Sequence, residues 1–232
     1  MHAVILAGGK GTRLRPYTNN IPKPLVPLGD KPILEILFGR LKELGVDSAT
    51  LCVNHLAHLI KDFCGDGSRF GIEIDYSMED KPLSTVAPIK LIDDLPDNFF
   101  VMNGDLLTDI DFRELMDYHL ENEAKLTVAA YQRTTKIDFG VIEMDEATNT
   151  ATGFREKPEY HFNVSMGVYC FKKEVLDLVP EDTPFGFDNL MYKMLETNDP
   201  VKLYPYSGYW LDIGRPDDYE RAQVDIETIF KK

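Results

Sequence analysis

No run of apolar residues in the 232-residue sequence approaches the roughly 20 that a membrane-spanning helix needs. The amino terminus also lacks the design of a cleavable signal, so a cytoplasmic protein with no membrane partner is expected. Basic residues are scarce: 25 Lys and Arg against 39 Asp and Glu leave a formal charge of −14, which argues against nucleic acid or anionic lipid as the main partner. Cysteine is scarcer still. Cys52, Cys64 and Cys170 are an odd count at irregular spacing, which argues against a disulfide framework and fits a reducing compartment. Cys52, His55, His58 and Cys64 offer four zinc-type donors, but their spacing departs from paired finger patterns. Cys52 moreover sits inside a strand-like run, so packing roles are expected for these residues. No internal repeat and no long Gly/Ser- or Pro-rich linker divides the chain, so a single domain over 1–232 is expected.

One absence is local. Residues 1–29 contain no Asp or Glu, although an even spread would place 39 × 29/232, about five, in that stretch. The same stretch holds Lys10, Arg13, Arg15 and Lys23. An acidic chain that keeps one segment purely basic points to an anion as the ligand of that segment.

The apolar pattern supplies the scaffold. Ala3-Val4-Ile5-Leu6 reads as a buried strand feeding the loop at Gly8-Gly9. After Pro32, Ile33, Ile36, Leu37, Leu41 and Leu44 recur at helical spacing, and Gly45 closes that segment. The pattern then predicts strands at 49–54, 72–76, 99–102 and 126–130, with helices at about 56–64 and 112–121. Asp109 and Asp111 read as turn and cap residues before the second of these helices. Beyond about 135 the rhythm changes. Strand-like pieces at 141–144, 151–155 and 168–171 are separated by turn residues, followed by helices at 173–178, 187–197 and 216–230 and a strand near 201–205. The alternation predicts an α/β fold: a three-layer α/β/α, Rossmann-like domain on a mainly parallel sheet, with a small lobe built from the later strands.

Gly8-Gly9-Lys10-Gly11-Thr12-Arg13 follows a strand, so its backbone N–H groups can converge on a phosphate. It is not a P-loop, because Lys10 precedes Gly11 and Val4 occupies the earlier glycine position. Nor is it a dinucleotide fingerprint, which would require Gly or Ala where Leu14 stands. The longer stretch from Leu6 through Arg15-Pro16 to Pro22-Lys23-Pro24-Leu25-Val26-Pro27 closely resembles the opening signature of the sugar-1-phosphate nucleotidyltransferases. Asn103-Gly104-Asp105, Glu156-Lys157-Pro158 and the segment from Trp210-Leu211-Asp212 to Tyr219 match the same family in the same order. Gly65-Asp66-Gly67-Ser68-Arg69-Phe70-Gly71 is most similar to the branch that contains the mannose-1-phosphate guanylyltransferases.

That resemblance implies a reaction in which a sugar 1-phosphate oxygen attacks the α-phosphorus of a nucleoside triphosphate and pyrophosphate leaves. It implies a nucleotide-binding half over about 1–135 and a sugar-binding half over about 136–232. On the nucleotide side it places Leu6, Ala7, Gly8, Gly9, Gly11 and Thr12, together with Arg13 as a bidentate fork and Lys23 as a point charge. Glu79, Pro82, Ser84 and Gly104 complete that half. On the sugar side it places Gly140, Glu156, Lys157 and Ser165, with Lys157 on the phosphate and Glu156 on sugar hydroxyls. Asp105 and Asp212 stand where a magnesium ion would take two carboxylates and leave its other positions to phosphate oxygens and water. Arg13, Lys23, Asp105 and Asp212 are therefore the expected catalytic group, and no side-chain nucleophile is assigned. Tyr169, Tyr204 and Tyr209 are expected to pack.

The sequence departs from the family in one loop. Where relatives carry Pro-Leu-Gly-Thr-Ala-Gly, this chain has Pro82-Leu83-Ser84-Thr85-Val86-Ala87, so Ser84 and Ala87 replace two glycines. Each adds a Cβ where backbone should approach the base and makes a positive φ costly. Ser165 stands where many relatives have Asn. Glu79 accepts hydrogen bonds only, which suits the N1–H and N2–H₂ donors of guanine and favours GTP, with mannose 1-phosphate or a related hexose or heptose 1-phosphate as acceptor. The altered loop leaves two alternatives open: the same reaction with CTP, UTP or dTTP, and a nucleotide-sugar-binding regulatory protein without turnover. The residues also leave a homo-oligomer open.

Overall fold

The structure, a computed structural model, describes residues 1–229. Strand β1 (His2–Leu6) lies at the heart of the sheet, and its Ala3, Val4 and Ile5 are fully buried. Two single-turn 3-10 helices follow, Thr12–Leu14 and Lys23–Leu25, then a two-residue pairing of β2 (Pro27–Leu28) with β3 (Lys31–Pro32), and helix α1 (Ile33–Glu43). The chain continues through β4 (Ser48–Val53), α2 (Ala57–Cys64), β5 (Glu73–Met78), β6 (Asn98–Asn103), β7 (Leu106–Thr108) and α3 (Phe112–Glu121). Asp111 caps α3 by accepting from the Arg113 and Glu114 amides at 2.8 and 3.2 Å, a contribution of about 1 kcal/mol. The remaining elements are β8 (Leu126–Lys136), β9 (Val141–Asp145), β10 (Thr150–Arg155), β11 (Glu159–Lys172), α4 (Phe187–Glu196), β12 (Val201–Tyr206), β13 (Trp210–Asp212) and α5 (Pro216–Ile229).

The seven-stranded sheet has the order β12-β8-β11-β6-β1-β4-β5. Strands β6, β1, β4 and β5 run parallel, as do β12 and β8, whereas β11 is antiparallel to both its neighbours. Side chains alternate across it as the pleat demands. Ile5, Leu51 and Phe100 meet Phe38, Ile60 and Leu115 of α1–α3 on one face. Val4, Val101 and Phe171 meet Ile89, Leu190 and Met194 of the 87–91 turn and α4 on the other. The expected mainly parallel, three-layer α/β sheet is therefore what the chain forms. A smaller cluster of Leu14, Ile33, Leu211 and Ala222 seats α5 and the basic segment against the edge of this body.

Three features differ from the pattern-based expectation. Strands β8 and β11 run on past the sheet as a two-stranded ribbon, Val164 pairing Tyr131 and Glu159 pairing Lys136, and the β9–β10 hairpin accompanies it as the projecting lobe. Beyond Tyr131 the β8 half is polar throughout, from Gln132 to Lys136, whereas the β11 half alternates Tyr160, Phe162 and Val164 with polar residues, a period of two that the sequence expectation did not include. Residues 173–178 form a 3-10 helix in place of an α-helix, and β11 beyond Ser165, α4, β12 and α5 all return to the main body. Helix α5 is described to Ile229; the expected end at 230 lies outside the described residues.

His119 lies wholly inside this body. Its Nε2 faces the Asn98 Oδ1 at 3.1 Å and its Nδ1 faces the Thr127 Oγ1 at 2.8 Å. The Asn98 oxygen only accepts, so Nε2 carries a hydrogen, and the Thr127 hydroxyl can donate to Nδ1 of a neutral ring. Burial first, and Lys172 second, push its pKa down to about 4. Burial likewise lowers His2. A histidine held below its ordinary 6.5 leaves the unfolded chain as the better proton acceptor. Its stabilisation is complete above pH 6.5 and is lost as the pH falls toward 4. Wild type should therefore lose up to about 3 kcal/mol from this residue between pH 7 and pH 4. Urea midpoints of wild type and His119→Gln across that interval check this: the variant should lose distinctly less, and parallel curves would contradict it.

Candidate active site

The carboxyl ends of β1, β4, β5 and β6 open onto a cavity of about 640 Å³, a size typical of small-ligand sites. Strand β1 delivers the glycine loop to its floor. Gly11 has φ +59, and a Cβ there would stand 3.0 Å from Thr18 Cγ2, so only glycine lets this loop fold back on Thr18. Thr18 Oγ1 donates to the Gly11 carbonyl at 2.7 Å and holds that bend. Nothing stands within 4 Å of a Cβ built on Gly9, which leaves the backbone open to an incoming group. Of the twelve residues expected on the nucleotide side, all but Gly104 line the cavity. Gly104 instead pins the next motif to β1 by donating to the Leu6 carbonyl at 3.0 Å.

Two carboxylates meet at the mouth of this cavity. The antiparallel pairing of β13 with β7 sets Asp212 opposite Leu106, next to Asp105, and the Ile213 amide donates to the Asp105 carbonyl at 3.2 Å. Lys23, only 9% exposed, reaches in from its 3-10 turn. Its Nζ donates to Asp105 Oδ2 and lies 3.9 Å from Asp212 Oδ1. Burial, followed by the Asp105 charge, pushes the Asp212 carboxyl above its ordinary range, against the opposing pull of Lys23 and Arg13. A Cβ on Gly214 would stand 3.5 Å from Asp212 Oδ2 and 3.6 Å from Arg13 Nη2, so the guanidinium borders the same spot. Asp105 Oδ1 is buried and has no hydrogen-bond partner among the described residues. Such an oxygen is costly unless something arrives to use it. Two oxygen-donor carboxylates, one with a free buried oxygen, fit a hard divalent cation completed by phosphate oxygens. Among the described residues no cluster of three or more His, Cys, Asp or Glu side chains is placed to hold a metal without such help.

On the opposite wall, Glu79 Oε2 accepts from the Leu83 amide at 2.7 Å, while Oε1 lies 3.4 Å from a Cβ built on Gly8. One oxygen holds the 80–83 turn and the other faces the cavity across the glycine loop. Ser84 also lines the cavity and takes φ +72, so the left-handed backbone that glycine would adopt freely is kept despite the serine. Ala87, the other departure, is buried in the core, and its amide donates to the Phe185 carbonyl at 3.0 Å.

A family model described as nucleotidyl transferase matches residues 2–229. The chain belongs to the nucleotidyl transferase family. The mannose-1-phosphate guanyltransferase of Saccharomyces cerevisiae is 35% identical over 232 residues, 97% of this chain and 64% of that relative. The mannose-1-phosphate guanylyltransferase of Mycobacterium tuberculosis is 32% identical over 230 residues, again 97% and 64%. The chain thus spans a little under two thirds of these curated relatives. The crystal structure of HddC from Yersinia pseudotuberculosis matches with a TM-score of 0.75 at 27% identity, covering 97% of this chain and 99% of that one. The same protein complexed with GMP-PN matches at 0.72.

In this nucleotidyl transferase the four residues expected on the sugar side lie outside the main cavity, on or beside the projecting ribbon. Gly140 and Glu156 are neighbours, a Cβ on Gly140 standing 3.2 Å from Glu156 Oε2. Lys157 is exposed with φ +43, and Ser165 sits where β11 bulges against β8. The four possible zinc donors are not gathered: Cys52 belongs to the core on one face of the sheet and Cys64 to the core on the other. Burial pushes both thiols up to about 12. Tyr204 packs edge-on against Tyr118, and Tyr169 stacks on Phe187. Sequence reasoning missed Asn54, Asn103 and Gly214 as cavity residues. Their signal was adjacency: each follows a buried strand or belongs to a motif already singled out.

A left-handed non-glycine residue costs about 1–2 kcal/mol, part of which glycine returns as chain entropy in the unfolded state. Ser84→Gly should therefore raise the melting temperature by about 1–4 °C, read by scanning calorimetry. A lowered melting temperature would mean that the serine's own contacts outweigh its strain.

Proposed function

We propose that this chain transfers a nucleoside monophosphate from a nucleoside triphosphate to a sugar 1-phosphate, releasing pyrophosphate, with GTP and mannose 1-phosphate as its substrates. The observation that carries the reading is the convergence of Arg13, Lys23, Asp105 and Asp212 on one edge of a cavity floored by the glycine loop. Loop N–H groups bind the triphosphate, and the planar Arg13 fork pairs its oxygens. Lys23 adds positive charge beside the two carboxylates and keeps them together before substrate arrives. A magnesium ion held by Asp105 and Asp212 would neutralise charge at the α-phosphate. Gly140, Glu156, Lys157 and Ser165 would bind the acceptor sugar phosphate, which is already ionised at neutral pH and needs no protein base to become a nucleophile. The free Oε1 of Glu79 suits guanine, and the names of the relatives agree. A regulatory protein without turnover is disfavoured because Ser84 keeps the left-handed bend, so the altered loop retains its path. With no helix among the described residues long and apolar enough to cross a membrane, we place the protein in the cytoplasm, with small-molecule partners.

Pyrophosphate release over a matrix of nucleoside triphosphates and sugar 1-phosphates tests the reading, and GTP with mannose 1-phosphate should be the productive pair. Asp105→Asn and Asp212→Asn should each lower turnover at least about a hundredfold. Stability should move the other way for Asp212. A carboxyl whose folded pKa is raised is, when ionised, a cost to the folded state, so removing its charge should raise the metal-free melting temperature at pH 7 to 8. Near-normal turnover in both variants would refute the metal assignment.

A further inference from the structure

The bulge in β11 has a second function beyond bending the strand. Register passes from Ser165 opposite Ala130 to Tyr169 opposite Val128, so two more residues stand on β11 than on β8. Gly167 makes the excursion at φ +71, and a Cβ there would lie 2.5 Å from Asn103 Nδ2. The Met166 carbonyl is held by the indole of Trp210 at 2.9 Å. Bulges near ligand sites re-aim a side chain, and here the re-aimed side chain is Ser165. Its Oγ accepts from the Gly167 amide at 3.3 Å and shares a hydrogen bond with Tyr169 Oη at 3.0 Å. A hydroxyl has one hydrogen and two lone pairs. With one of these positions taken by Tyr169 and another by Gly167, the exposed Ser165 offers a ligand a single remaining hydrogen-bonding position.

Tyr169 is in turn fixed by two partners. It is 7% exposed, and its ring stacks on Phe187 with centroids 4.1 Å apart. Phe187 is the first residue of α4, whose N-cap Gly186 has no side chain to offer. The missing cap comes from elsewhere: Thr85 Oγ1, in the nucleotide loop, accepts the Phe187 amide at 2.9 Å. The same loop is tied to this segment by the Val86 and Ala87 amides donating to the Phe185 carbonyl. A cavity of about 130 Å³ touches Thr85, Phe187 and Tyr169 and shares Leu6 and Asn103 with the main one. The rings thus lie between the nucleotide loop and the ribbon.

We propose that Tyr169 and Phe187 are positioning residues that fix the Ser165 hydroxyl as a hydrogen-bonding group for a sugar hydroxyl and, through Thr85, tie that group to the nucleotide loop. The inference rests on the proposed function and adds a specificity determinant to its acceptor half. Tyr169→Phe removes only the Oη, releases the Ser165 hydroxyl to rotate and keeps the ring stack. The KM for mannose 1-phosphate should rise at least about fivefold, with kcat and the GTP dissociation constant within about twofold. In a Ser165→Ala background the same change should add less than about 1.5-fold, because the group it acts on is gone. Thr85→Val, which removes the cap at constant shape, should raise the same KM, and Thr85→Ser should restore it. A Tyr169→Phe protein with unchanged KM, or with an undiminished effect in the Ser165→Ala background, overturns the inference while leaving the reaction class intact. A wild type that binds neither GTP nor mannose 1-phosphate by calorimetry overturns the functional reading and this inference together.

Discussion

Two carboxylates from segments more than a hundred residues apart, Asp105 and Asp212, are set side by side in a partly buried place, and a single ammonium group makes that tolerable. Moving such charges out of water costs several kcal/mol each unless a partner compensates. Lys23 compensates Asp105 closely and Asp212 loosely, and the residual imbalance shows as the raised carboxyl of Asp212 and the orphaned Oδ1 of Asp105. Much of the surrounding architecture keeps these three groups in register. The Gly104 amide fastens Asp105 to β1, the β7–β13 pairing delivers Asp212, and the 3-10 turn at 23–25 brings Lys23 beneath them. The site is therefore assembled from three chain segments that meet only in the folded state, and its under-satisfied charge is the feature a metal and phosphates would relieve.

The same electrostatics explains the distribution of charge along the chain. A protein carrying −14 would repel a triphosphate over most of its surface. Keeping residues 1–29 free of Asp and Glu removes that repulsion where the glycine loop, Arg13 and Lys23 line the cavity. The carboxylates that line it, Glu79 and Asp105, and Asp212 beside Lys23 at its edge each have a proposed task that needs an acceptor. Exclusion of acids and placement of these three are two parts of one constraint.

How far the sequence could be read follows from where each signal lies. The parallel core was legible because β1, β4 and β6 are buried on both faces and so carry short apolar runs, at 3–6, 51–53 and 99–102. The lining of the main cavity was legible because most of its residues are contiguous in motifs. The ribbon carried a signal on one strand only: β11 alternates at Tyr160, Phe162 and Val164, whereas β8 past Tyr131 is polar and exposed, so no second run marked a partner for it. The three-residue strands β7 and β13 are too short to show a period. The ties between Thr85 and Phe187 and between Ser165 and Tyr169 join residues whose types are unremarkable singly, and the first spans about a hundred positions. Ser84 was read as a residue that would avoid positive φ. The fold overrides that preference, because amides on both sides of it are already committed, Leu83 to Glu79 and Val86 to Phe185.

Strain of this kind has a pattern in the molecule. Asn149 and Asn198 take positive φ in connecting segments, where asparagine tolerates it. Leu56, Ser84, Glu123 and Lys157 lack that tolerance, and two of the four, Ser84 and Lys157, stand in the cavity wall and the expected sugar-phosphate clamp respectively. Strained residues persist only where the surroundings over-determine them. At Ser84 the surroundings are visible, a loop hydrogen-bonded at 83, 85, 86 and 87. At Lys157 the constraint is the chain path, since the Pro158 carbonyl must accept the Ile137 amide to close the lobe. Glycine would relieve either strain but would leave no side chain: at 157 the ammonium would be lost, and at 84 the wall would lose its hydroxyl. The backbone energy stored at these two positions is thus tied to side chains that the proposed function uses, whereas at Leu56 and Glu123 the same strain has no proposed ligand beside it.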